Sequence, residues 1–231
     1  EISAAGLSLK DNSFMILADN NHIGLGYTYE NQGEKMNRGE FFIHGDLTRK
    51  DDELEIGIAI MPSTLYLNSK QWNIQSSEAT IRGKEIRVPS LEFTSGEEAI
   101  RLSGGTSMNQ KDTISLYLER FDISIFNALI GNNFGLQGAA SGKVMLTSPL
   151  EEAALIGEII CDSTSICGRP VGELNISSTW NEEFKRFDLV FQNRIGQKRS
   201  IFLTGNYSPG HQFLNADVLF DGFDIAYVKP L

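Results

Sequence analysis

The sequence predicts an all-β protein: an elongated, curled sheet of repeated antiparallel-type hairpins forming a trough (a β-taco), with one short helix near 122–130. Three observations lead there. Apolar and polar residues alternate with period 2 in segment after segment, which is the pattern of strands with one buried face. The joints between these segments are short, polar and often glycine-containing, as antiparallel neighbours require. A unit made of a strand, a glycine, a polar loop and an apolar strand recurs at long spacing, the mark of a repeating architecture.

Taken in order, Ile23, Leu25, Tyr27 and Tyr29 alternate with Gly24, Gly26 and Thr28. Residues 31–38 are polar and read as a turn, and 40–47 is the next strand. Residues 54–61 carry the plainest alternation: Leu54, Ile56, Ile58 and Ile60 point one way, while Glu53, Glu55, Gly57 and Ala59 point the other. Pro62 ends this strand or sits on an edge. Short strands follow at 64–68, 71–76, 78–82, 85–88, 91–94 and 99–103, with Pro89 before the fifth of these. Ile114, Leu116 and Leu118 line one face of the strand at 112–119.

Phe121-Asp122-Ile123 then opens the one helical stretch. Asp122 or Ser124 can cap it, Phe126, Leu129 and Ile130 share a face, and Gly131 stands where a C′ glycine belongs. Alternation resumes at Ala140, Gly142, Val144 and Leu146, continues through 155–160, 174–180, 187–191 and 201–207, and finishes at Ala216, Val218 and Phe220. Phe223-Asp224-Ile225 repeats the earlier junction. The whole amounts to about 15 strands, divided by the repeat into sub-units at about 13–131 and 132–231. Its copies begin at Ile43-His44-Gly45, Leu102-Ser103-Gly104 and Leu203-Thr204-Gly205.

Composition narrows the function. The 231 residues are 41% hydrophobic and 10% aromatic, enough for a folded core. Lysine plus arginine number 20 against 30 acidic residues, a net charge of −10 that disfavours nucleic acid. The acidic doublets Asp51-Asp52, Glu97-Glu98, Glu151-Glu152 and Glu182-Glu183 fall between apolar runs, where solvated turns belong. Cys161 and Cys167 are the only cysteines, and their spacing is compatible with a disulfide or with two buried small apolar residues. No leader is visible, and no window reaches the ~18 apolar residues of a membrane helix. Both ends fall in mid-pattern and read as cuts in a longer protein.

Chemistry has little to stand on. His22, His44 and His211 are isolated from one another, and neither H-E-x-x-H nor a G-x-S-x-G elbow occurs. No cofactor motif is present, so a non-enzymatic protein is expected. Asn175-Ile176-Ser177 and Asn206-Tyr207-Ser208 match glycosylation sequons, and Trp72 and Trp180 sit among alternating apolar residues. A flat sheet of this many strands, at ~4.8 Å each, would be of order 70 Å across and expose a large apolar face. It must curl, be covered, or use that face.

One order of motifs carries a resemblance. Gly138-x-x-x-Gly142-x-Val144-x-Leu146 is followed by Pro149, Ile156-Gly157-Glu158-Ile159, Gly172-Glu173-Leu174, Ser178-x-Trp180-Asn181, Leu203-x-Gly205-x-Tyr207 and Phe223-Asp224-Ile225. This order resembles the translocation and assembly module (TamB) family of the wider AsmA-like group. The run from Arg38-Gly39-Glu40 to Pro62-Ser63-Thr64 is similar to versions from Bacteroidetes. The resemblance covers most of the chain, best from Trp72 onward.

It implies a segment of a periplasmic protein anchored to the inner membrane by a helix outside this chain. The apolar trough would shield phospholipid acyl chains or outer-membrane protein clients, working with an Omp85-type outer-membrane partner docked elsewhere. Candidate groove positions are Leu54, Ile56, Ile58, Ile60, Ile114, Leu116, Leu118, Val144, Leu146, Val218 and Phe220. No catalytic, metal or cofactor residue is carried over. Exposed end strands are expected to make the chain self-associate. The alternative is a secreted or surface β-sandwich module that binds glycan or protein.

Overall fold

The structure is a computed structural model describing residues 2–4, 7–9, 11–31, 36–67, 69–106, 112–127, 135–147 and 154–221. The strands are β1 (Ile2–Ala4), β2 (Leu7–Leu9), β3 (Ser13–Asp19), β4 (His22–Asn31), β5 (Asn37–Lys50), β6 (Glu53–Ile60), β7 (Ser63–Leu67), β8 (Lys70–Ile74) and β9 (Ser77–Arg82). They continue as β10 (Glu85–Ser95), β11 (Glu98–Thr106), β12 (Thr113–Asp122), β13 (Gln137–Thr147), β14 (Ala154–Ile166), β15 (Arg169–Asn181), β16 (Arg186–Ile195), β17 (Lys198–Ser208) and β18 (Phe213–Phe220). The fold is all-β: β1 and β2 pair with each other, and the remaining 16 strands form one antiparallel sheet. Two compact units divide at Leu116/Tyr117, inside β12 and upstream of the 131/132 boundary that the repeat suggests.

In the first unit the strand pairing branches, since β5 pairs with both β6 and β7, and β10 with both β8 and β9. The register resolves the branch. Glu55↔Arg82 and Ile60↔Ser77 lie on the same continuous ladder as Ser63↔Ile74 and Leu67↔Lys70. So β6 and β7 are one strand interrupted at Met61-Pro62, and β8 and β9 are one strand interrupted at Gln75-Ser76. Pro62 has no N–H to give the ladder, which is why it breaks there. Backbone bonds hold both sides of the break: Met61 donates to the Phe42 carbonyl (3.0 Å) and Gln75 to that of Glu92 (3.1 Å). The result is an up-and-down meander in which each strand pairs with its sequence neighbours.

Turn chemistry sets these hairpins. Asp51 and Asp52 both take positive φ (51° and 64°) in the two-residue turn between β5 and β6, the backbone that matches strand twist. Gly83, Gly96 and Gly196 do the same work at the β9–β10, β10–β11 and β16–β17 turns. Three acidic doublets are thus accounted for: Asp51-Asp52 and Glu182-Glu183 lie at turns, while Glu97 is in a turn and Glu98 enters β11 to ion-pair with Lys70. Glu151-Glu152 lies outside the described residues. Pro89 sits inside β10, at the register shift between Val88 and Leu91, so the expected strands at 85–88 and 91–94 are one bulged strand.

In the second unit the bulges line up. Register shifts fall at Gly138 on β13, between Cys161 and Thr164 on β14, and between Asn193 and Arg194 on β16. Gly172, at φ +88°, lies opposite Thr164 on β15. Aligned bulges bend neighbouring strands along one line, a crease across β13–β17. Polar side chains fill it: Thr164 and Asn193 are 1% exposed, and Ser200 is buried beside them. The Asn193 amide donates to the Val171 (2.5 Å) and Glu173 (3.3 Å) carbonyls, and its own carbonyl accepts from the Ser200 hydroxyl. Val171 is skipped by the ladders on both sides of β15, and its carbonyl takes the Asn193 bond instead.

Among the described residues the helical stretch opens with a 3₁₀ turn, Ile123–Phe126, and Asn127 follows in right-handed helical conformation. Asp122 caps it by accepting from the Ser124 N–H (2.9 Å). Ile123 is the buried anchor, packed with Ala140 and Cys161 against Leu118, Leu136, Ile159 and Leu174. Phe126, expected to face inward, is 44% exposed and meets the ring of Phe121 edge-on. Ile123, at the start of the turn, therefore takes the packing position instead of Phe126. Asn127 then clamps Leu136, donating to its carbonyl and accepting from its N–H, both at 2.7 Å. Leu129, Ile130, Gly131 and the second Phe-Asp-Ile copy lie outside the described residues.

Candidate functional site

Residues directly opposite in a ladder share a face, so the register assigns every strand position to one side of the sheet. In the first unit, Ile60 pairs with Ile43, Ile43 with Leu25, and Leu25 with Ile16. Ile58 follows with Gly45 and Ile23, and Ile56 with Leu47 and Ile81. Leu54, Ile56, Ile58 and Ile60 therefore stand on one apolar face, which Phe14, Ile16, Ile23 and Leu25 extend. The other side of the same strands carries Glu40, His44, Asp46, Glu53 and Glu55. Ion pairs lie on that polar side, such as Arg101 with Glu92 (2.5 Å) and Arg82 with Glu85 (3.4 Å). Such exposed pairs add little stability.

The second unit repeats the arrangement in four rows that cross β13 to β18. Gly142, Ile159, Ile176, Phe191, Leu203 and Val218 form one row. Val144, Gly157, Ser178, Leu189, Gly205 and Ala216 form the next, and Leu146, Leu155, then Trp180, Phe187, Tyr207 and Leu214 the third. The fourth, at the crease, runs Ala140, Cys161, Leu174, Asn193, Ile201 and Phe220. Val144, Leu146, Val218 and Phe220 are thus on one face. Leu118 packs into the cluster at its crease side, and Ile114 and Leu116 share its face of β12.

Among the described residues, many side chains on these faces stay open to solvent. Ile16 is 71% exposed, Leu54 54%, Ile176 46% and Phe220 61%, although each sits among apolar neighbours. Ile56, Ile58, Ile60, Ile114, Leu116, Val144 and Leu146 are only half-buried. Buried apolar side chains among the described residues are few: Tyr29, Ile74, Ala99, Ile123, Ala140, Cys161 and Val171. A contiguous apolar face left to solvent marks an interaction surface. An aromatic ladder borders it in the second unit: Trp180 meets Phe187 edge-on at 4.8 Å, and Phe187 stacks on Tyr207. The indole N–H of Trp180 donates to Glu182 (2.8 Å), so the ring is apolar inward and wet at its tip. That bond and the Lys185 ammonium hold the Glu182 carboxyl below its ordinary range, the ammonium contributing first.

Phe191, Leu189, Ile176, Leu203, Ile43 and Leu25 share these apolar faces but are not among the positions expected from the sequence. The alternation at 187–191 flags two of them, but only the register shows which alternating set joins which. Trp72 is half-buried on β8, with the Lys70 ammonium 5.3 Å from its ring centre. In the first unit Tyr29 is buried, and burial pushes its phenol up to about 12. His22 and Asp46 pair on the exposed polar face, and no group of three metal-ligating side chains converges among the described residues. Asn175, the first sequon asparagine, is mid-strand and donates to Glu158 (2.6 Å).

No disulfide joins the two cysteines, which settles the alternative left open by their spacing. Cys161 is buried on the apolar face, whereas Cys167 sits in the exposed β14–β15 turn with φ 51°. The strand between them spans roughly 15–20 Å at the usual rise, far beyond the ~7 Å limit for a disulfide. Burial, and secondarily Asp162, raises the Cys161 thiol above its ordinary value. A maleimide is therefore expected to label Cys167 at once in the folded protein and Cys161 only after denaturation. Equal labelling of both, or none of either, would contradict this placement.

No protein-family model matches the chain, and neither a curated protein nor a solved structure matches it.

Proposed function

We propose that this chain is a segment of a TamB-like, AsmA-related factor of outer-membrane biogenesis, and that its apolar face shields acyl chains in transit. One observation carries the reading: consecutive strands present a shared apolar face that stays open to solvent, backed by a polar one. Phospholipid is the occupant, and an outer-membrane protein client would use the same face. The periplasm, the inner-membrane anchor and the Omp85-type partner belong to the reading through the family resemblance. Shielding is favourable because each CH₂ taken from water contributes ~0.8 kcal/mol.

The test is charge placed on one face at a time. Leu189→Glu with Phe191→Glu puts two carboxylates among the acyl chains, and burying an unpaired carboxylate is costly enough that bound lipid should fall at least ~10-fold. Val190→Glu with Gln192→Glu, on the same strand but the opposite face, should leave it unchanged. Phospholipid extracted from the purified proteins and quantified by mass spectrometry decides. Equal lipid content in all three proteins would sink the reading.

A further inference from the structure

We infer that the hairpin joining β16 to β17 is a docking site for the headgroups of anionic phospholipid, held by Arg194, Lys198 and Arg199. Its tip reads Arg194-Ile195-Gly196-Gln197-Lys198-Arg199, three cations and no acid, in a chain whose net charge is −10. The turns at Asp51-Asp52, at 96–97 and at 182–185 all carry carboxylates instead. Every residue from Arg194 to Arg199 is exposed. Gly196 takes φ +61°, so the strands join through two residues and the register holds to the end: Ile195 faces Lys198, and Arg194 faces Arg199. On that grid the Cα atoms of the three cations lie within roughly 7 Å of one another.

Two arginines set directly opposite each other on a ladder repel. Neither is neutralised within the described residues. The Arg199 guanidinium lies over the Phe202 ring, 4.2 Å from its centre. Glu173 faces Arg194 across the β15–β16 ladder, and Asp221 donates its backbone N–H to the Ser200 carbonyl (2.9 Å), yet neither carboxylate pairs with the three cations. An oxyanion between the guanidiniums relieves the repulsion, and their planar forks match phosphate oxygens. A membrane is the source, because Ile195, 44% exposed at the same tip, can enter below the headgroups while the cations stay with the phosphates. The acidic balance of the whole chain does not prevent this, since screening limits the acting charges to those within about 8–10 Å. The site uses no residue of the apolar rows and does not rest on the proposed function.

Cosedimentation of the full 231-residue chain with vesicles of phosphatidylcholine, alone or mixed with phosphatidylglycerol, tests it. Each cation at an anionic surface contributes roughly fivefold, so phosphatidylglycerol should raise the partition coefficient at least ~30-fold. Arg194→Gln with Lys198→Gln and Arg199→Gln, at an unchanged far-ultraviolet spectrum, should remove that gain. Lys50→Gln with Lys84→Gln and Arg87→Gln takes the same charge from exposed positions of the first unit and should change it less than ~3-fold. Ile195→Ser should lower binding to the mixed vesicles by ~5-fold or more. Equal partition into both kinds of vesicle overturns the inference. So does a triple variant that keeps the gain, or a first-unit control that loses it as fully. Inorganic phosphate that shifts the amide resonances of Arg194 and Arg199, with no binding to the mixed vesicles, would mark a free-anion site and overturn it as well.

Discussion

Gly172→Ala is expected to destabilise the protein by more than about 3 kcal/mol, one of the two largest effects of any single substitution considered. Two costs combine. At φ +88° an L-residue is strained by roughly 1–2 kcal/mol. In addition, an alanine Cβ would lie on the Arg194 carbonyl oxygen and within 3.0 Å of its carbon, so β15 and β16 must separate at the crease. Gly168→Ala isolates the first cost: its φ is +71°, but nothing lies within 4 Å of the added carbon. In urea, where a chain this size loses about 2–3 kcal/mol per molar, Gly172→Ala should lower the midpoint by about 1 M or more. Gly168→Ala should lower it by half that or less. Equal shifts would mean that the strands do not approach closely at this row.

Asn193→Ala should cost about 3–5 kcal/mol, for a different reason. The side chain is 1% exposed, and its removal strands the Val171 and Glu173 carbonyls and the Ser200 hydroxyl inside the crease. An unsatisfied buried polar group costs about 1–3 kcal/mol. Asn193→Asp adds a pH dependence whose sign can be worked out. A carboxylate facing two carbonyl oxygens is disfavoured, so its folded pKa rises above the unfolded value of about 3.9. A raised folded pKa means stability present below the unfolded value and lost as pH climbs through the folded one. Asn193→Asp should therefore unfold more easily at pH 7 than at pH 4, relative to Asn193→Ala at each pH. Chemical denaturation at the two pH values measures this, and a pH-independent difference would contradict the bonding at Asn193.

What could be read from residues alone divides along physical lines. Alternation is local, so the strands and most of their ends were legible, as at Leu54–Ile60 and Phe187–Phe191. Three hairpins implied by the repeat are also found, at β5–β6, β11–β12 and β17–β18. Register is not local. That β6 continues into β7 across Pro62 depends on how both pair with β5, and no pattern within 53–67 announces it. The crease is likewise invisible in one strand, because the register shifts near Gly138, Thr164 and Asn193 acquire meaning only when the ladders bring them side by side. The junction after Phe121 shows the same limit at small scale. Its helical spacing put Phe126 on a packing face with Leu129 and Ile130, but among the described residues it is Ile123, next to the Asp122 cap, that goes inward.

The apolar face was legible as a set of candidates and incomplete as a surface. Leu54, Ile56, Ile58 and Ile60 stand together because one strand's alternation suffices to place them. Val144 and Val218 were both candidates, but the residues between them, from Ile159 to Leu203, join them only through four successive ladders.

The account rests on the claim that this face holds acyl chains. A photoreactive p-benzoylphenylalanine placed in living cells at Leu189, Val190, Phe191 or Gln192 tests it most directly, since these four consecutive residues of β16 differ in little but the face they present. Positions 189 and 191 should yield phospholipid adducts, and 190 and 192 should not. Adducts at all four positions, or at none, would contradict it.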